Sequence, residues 1–169
     1  MTATAAAIFL PFAIAIGLWV AWSDMKFMRI PNQSVLALAL VFALLGPFLL
    51  PWQVYLWQLA HLPALLVLGF LLNMAGAIGA GDAKFIAAMA PFFALPHLSL
   101  VMALGSAILL AAFAIHRIMG FVPVFRRATP DWESWHRRDF PMGFALAGLL
   151  IFYLTLVAAS PLWAPPHGT

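Results

Sequence analysis

Residues 5–22 read AAAIFLPFAIAIGLWVAW, eighteen residues without a charge. That length approaches the roughly 20 residues with which an α-helix crosses a hydrocarbon core of about 30 Å. The run ends on Ser23, Asp24, Met25 and Lys26, a charged boundary. No Lys or Arg precedes it, whereas a signal peptide carries a basic leading region, so the run is read as a first membrane span.

Working outward, apolar runs recur at about 34–50, 55–75, 81–95, 97–116 and 141–163. With residues 5–22 they predict an all-α integral membrane protein of six transmembrane helices, one domain over residues 1–169. Composition points the same way. The chain is 66% hydrophobic and 8% charged, against roughly 45–50% and 25% in a soluble domain. It has no cysteine, which excludes disulfides and cysteine-ligated metal, and no metal or cofactor is expected.

The basic residues orient the predicted spans. Lys26 and Arg29 follow the first, Lys84 opens the fourth, and Arg117, Arg126, Arg127, Arg137 and Arg138 lie in the one long loop, residues 117–140. With the N-terminus outside, all of them fall on the cytoplasmic side, the usual positive-inside arrangement. The basic excess therefore reports orientation, and no nucleic-acid partner is expected. The fourth span is short, since fifteen residues rise only about 22 Å. Trp19 and Trp22 fall at the inner end of the first span; Trp52, Trp57 and Trp163 fall at outer ends, as in an interfacial aromatic belt.

Chemistry has few places to reside. Asp131, Glu133 and Asp139 lie in the basic loop among arginines, whereas Asp24 and Asp82 stand at predicted cytoplasmic helix ends, where ionisable groups are costly and usually functional. Asp24 opens the segment that leads to Ile30, Pro31 and Asn32, and is followed by a short turn. Pro31 holds Ile30 extended, and Asn32 is expected to cap the second helix. Asp82 follows Gly79 and Gly81, which permit positive φ and close approach of a second backbone. Each motif has a plainer reading: Asp24 pairing with Lys26 or Arg29, Asp82 serving as an N-cap. If the two carboxylates meet, they share one proton; the ionised member takes a proton from water while the protonated one hydrogen-bonds a scissile carbonyl.

Together the motifs resemble the type IV prepilin peptidases, membrane aspartyl proteases with a GxGD signature. Asp24 with Ile30, Pro31 and Asn32 matches the first motif of that family; Gly79, Gly81, Asp82 and Lys84 match the second; Pro141 and Gly143 resemble a third. The resemblance covers nearly the whole chain, and the short form is similar to the peptidases of tight-adherence (Flp-type) pili. It implies that Asp24 and Asp82 are the catalytic pair and that the others shape the site. It further implies a prepilin partner, itself a membrane protein, cut after a short basic leader at the cytoplasmic face of the bacterial inner membrane. Longer members carry a zinc-binding cysteine domain and methylate the new N-terminus; the resemblance does not extend to that domain or that activity.

Other polar residues have local readings. Asn73 is expected at the depth of the aspartates, in an interhelical hydrogen bond. Lys84 is expected to snorkel to headgroups, and His116 to sit at the C-terminal end of the fifth span. The loop with Trp132 and Trp135 among arginines reads as a segment lying on anionic lipid. Two rival functions use the same residues. A proton- or cation-coupled transporter needs a polar path to the outer face, where the sequence offers little beyond Gln58 and His61. A catalytically silent pilus-assembly paralogue would keep the fold without the cleavage.

Overall fold

The computed structural model describes residues 1–137 and 139–160; Arg138, Trp163 and the end of the predicted sixth span lie outside them. The described chain is helical, with α1 (Ala3–Phe27), α2 (Asn32–Leu49), α3 (Trp52–Met74), α4 (Ala80–Met89), α5 (Leu98–Phe121), α6 (Pro123–Ala128) and α7 (Met142–Ala159). Among the described residues five stretches are long and apolar enough to cross a membrane: α1, α2, α3, Leu95–Phe121 and α7. The protein is a multi-pass membrane protein. Its outer face is apolar, as a lipid-facing surface has to be: Phe48, Phe121 and Leu110 are 86%, 85% and 71% exposed.

The predicted fourth span is not a continuous α-helix. Pro91 has no N–H to extend α4, and the chain tightens into short 3₁₀ turns at Ala90–Phe92 and Leu95–His97. These turns still carry the chain the length of the bundle. Residues 94–97 share a cavity with Thr2, Leu50 and Pro51, at the end of the bundle remote from Asp24. The other boundaries differ by a turn or less, except that α1 runs on past Asp24 and α5 runs past His116 to Phe121. The basic loop also holds structure of its own, α6 and a 3₁₀ turn at Glu133–Trp135.

Two kinds of packing position the site. At the remote end, Phe9, Phe42, Tyr55 and Phe92 stack and edge-pack with ring centroids 5.1–5.8 Å apart. Elsewhere small residues bring backbones close, the usual device where lipid supplies no hydrophobic drive between helices. α1 packs most extensively against α7. A Cβ on Gly17 would lie 3.0 Å from Ile151 Cδ1 and 3.4 Å from Ala147 Cβ. Gly69 of α3 meets Ala83 of α4 in the same way, its Cβ position 3.0 Å from the Ala83 Cβ. These approaches bring the N-termini of α4 and α7 to the C-terminal end of α1.

Candidate active site

Asp24 is carried inward by helical periodicity. Phe9, Ala13, Gly17 and Val20 form the buried stripe of α1, and Asp24 is its next position, 6% exposed. It sits in the last turn of the helix, at the helix end where the sequence reading has it, although α1 itself runs on past the expected end at Trp22. α1 ends one turn later at Met28, whose N–H donates to the Asp24 carbonyl at 2.9 Å. Met28 has φ 50°, in the left-handed region that favours glycine. The buried Ser23 hydroxyl donates to the Arg29 carbonyl at 2.9 Å and braces the turn. Sequence reasoning passed over Ser23, although a serine beside Asp24 in the last turn of an apolar helix is a visible signal.

Asp82 comes from the turn between α3 and α4. Asn73 Nδ2 donates to the Ile78 carbonyl at 2.8 Å, so Asn73 clamps this turn and does not bond across helices. Gly79 is the N-cap of α4 and Asp82 lies in its first turn. The Asp82 carboxylate folds back over Gly79 from the third helical position. A Cβ on Gly79 would lie 2.7 Å from Asp82 Oδ2. Gly79 has φ −67°, so it is needed for this close approach and not for a positive φ. In this turn the positive φ belongs to Gly76, at 74°. Gly81 makes ordinary contact with Ile30, its Cβ position 3.4 Å from the Ile30 Cβ.

α7 supplies the third element. Pro141 is its N-cap, so Gly143 is among the first residues, whose N–H groups have no intrahelical partner. The Gly143 N–H donates to Asp24 Oδ2 at 2.7 Å. A Cβ there would lie 3.0 Å from that oxygen, 3.1 Å from Asp24 Cβ and 3.1 Å from Ile30 Cδ1. Ile30 is buried and wedges between Gly81 and Gly143.

Asp24 and Asp82 line one cavity of about 370 Å³, with Ile30, Asn32, Gly79 and Gly81 around it. Among the described residues neither carboxylate is in an ion pair; Lys26 turns away to Asp131 at 3.3 Å. Among the described residues no group of three or more His, Cys, Asp or Glu is placed to hold a metal ion.

The sequence pattern of the type IV leader peptidase family matches residues 8–115, the part of the chain that contains both aspartates. The chain belongs to that family. No curated protein and no solved structure matches it.

In this leader peptidase the remaining sequence-singled residues support the site from outside. Asn32 does not cap α2: Pro31 occupies the N-cap and the Ser34 hydroxyl donates to its carbonyl at 2.7 Å. Asn32 Oδ1 instead accepts from Lys84 Nζ at 3.2 Å, tying α2 to α4 at the rim of the cavity. Lys84 is exposed and reaches Asn32 with one of its donors. Because α5 is longer than expected, His116 lies within it. It is buried and stacked on Trp135, ring centroids 4.9 Å apart and planes 14° from parallel. Trp135 in turn stacks on Trp132 and donates from Nε1 to the Thr129 carbonyl at 3.1 Å. The loop is thus docked on the bundle, beside the end of α1.

Proposed function

We propose that this leader peptidase is an aspartyl endopeptidase that removes the short basic leader from Flp-like prepilins, with Asp24 and Asp82 as the catalytic pair. The observation that carries the reading is that two carboxylates from distant turns line one cavity, each at the N-terminus of a helix, α7 for Asp24 and α4 for Asp82. Where two carboxylates of one cavity meet, they share one proton. Asp24, already an acceptor from Gly143, is suited to take the proton from the attacking water. Asp82, less buried and beside the opening, is suited to hydrogen-bond the scissile carbonyl. The tetrahedral intermediate then collapses, the C–N bond breaks, and the proton taken from water passes to the leaving amine.

In this reading α4 and its two 3₁₀ turns make the sixth crossing. The N-terminus is outside, and the cavity opens at the cytoplasmic face of the bacterial inner membrane. The basic loop lies on anionic lipid there: Phe121, Val124 and Phe125 are exposed next to Arg126 and Arg127, an apolar and basic pairing suited to an interface.

The test is co-expression with a Flp-type prepilin, comparing wild type, Asp24→Asn and Asp82→Asn by gel shift and mass. Leader loss with wild type alone is expected, with all three proteins inserted. Full cleavage by either variant overturns the assignment of the pair.

A further inference from the structure

The cavity that holds Asp24 and Asp82 has two continuations of opposite chemistry. At Ala80 and Lys84 it adjoins a cleft of about 410 Å³ between α3 and α4, walled by Leu66, Val67 and Phe70 and floored by Ala83. Val67 and Phe70 face outward, 62% and 61% exposed. At Met28 and Arg29 it adjoins a second cleft of about 370 Å³, lined by Ser23, Glu133 and Arg137 among others. Glu133 and Arg137 pair there at 3.0 Å, so this side is polar and wet.

A peptide held at the two aspartates has the α3–α4 cleft as its apolar continuation. Resting on the proposed function, the substrate is a membrane protein cut after a short basic leader, so its apolar membrane segment lies on the far side of the scissile bond. An apolar segment gains nothing from the polar cleft, and a charged leader is costly against Leu66, Val67 and Phe70. We infer that the α3–α4 cleft receives the apolar segment that follows the scissile bond of the prepilin. Ala80, small and exposed where the cleft meets the cavity, leaves room for a chain to pass from one to the other. The Lys84–Asn32 hydrogen bond stands where the cleft joins the cavity, so the bound chain passes beside it.

The test uses the full-length enzyme with a prepilin that wild type cleaves. A photo-crosslinking phenylalanine is placed at Val67, Phe70 or Leu110 in the Asp82→Asn background; Leu110 is an outward residue of α5. Crosslinks to the prepilin from positions 67 and 70, and not from 110, are expected. In the active enzyme, Val67→Trp raises KM for the full-length prepilin about tenfold with kcat unchanged. It leaves cleavage of a soluble peptide lacking the apolar segment at the wild-type rate, and Leu110→Trp changes neither. Crosslinks from 67 and 70 to lipid alone, equal crosslinking from 110, or an unchanged KM overturn the inference while prepilin cleavage still upholds the proposed function. Absence of wild-type cleavage removes both.

Discussion

The Gly143 backbone N–H donates to Asp24 Oδ2 at 2.7 Å across 119 positions of sequence. This one bond makes the start of α7 part of the site. Gly143 has no room for a side chain, since a Cβ would press on the carboxylate and on Ile30. Gly143→Ala is expected to lower kcat/KM by about tenfold or more, ~1.4 kcal/mol in transition-state stabilisation. Ile30→Val removes the Cδ1 that the new methyl would meet, so the double variant should recover part of the loss. A double variant no better than the single places the whole effect on Asp24 itself.

Asp24→Glu keeps the charge and lengthens the side chain by one methylene. The carboxylate then loses its place under Gly143, and a displacement of about 1 Å costs on the order of 100-fold. Cleavage should fall by at least that much, with membrane insertion unchanged. Near-wild-type turnover would show that the Gly143 contact does not set the geometry.

Met28 ends α1 with φ 50° and lines the same cavity. Left-handed geometry costs a non-glycine residue roughly 1–2 kcal/mol. Met28→Gly is therefore expected to leave thermal stability in detergent equal or higher, and the β-branched Met28→Val to lower it. Equal melting temperatures for the two would mean that the turn adapts to either residue.

Trp135 docks the basic loop by stacking on His116 and hydrogen-bonding Thr129. Trp135→Ala should free the loop and speed tryptic cutting at Arg126 and Arg127, both already exposed. Limited proteolysis in detergent reads this directly. Phe144→Ala, outside the loop, serves as the control. Unchanged cutting in Trp135→Ala would assign the docking to other contacts, such as Lys26 with Asp131.

Much of this protein is determined by the sequence alone. The uncharged apolar runs define a membrane protein, because so few charged residues cannot make a water-facing surface. The motifs around Asp24, Asp82 and Gly143 single out those residues before any contact is known. The periodicity that buries Phe9, Ala13, Gly17 and Val20 also predicts, on a helix carried through to Phe27, that Asp24 faces inward.

Only the tertiary structure decided what each of these residues does. Helix ends are poorly marked in apolar sequence, so α1 was read as stopping before Asp24 and α5 as stopping at His116. Local rules gave Asn32 a cap and the motif glycines a positive φ. In the fold Asn32 bonds to Lys84, and Gly79 makes room for the Asp82 carboxylate at φ −67°. Such roles depend on which backbones come within contact distance, and that is set by the small-residue packing of α1 on α7 and of α3 on α4. A sequence names the small residues; the distance at which two helices settle comes from all their contacts together. For the same reason the hydrogen bond from Gly143 to Asp24 has no trace in either segment read by itself.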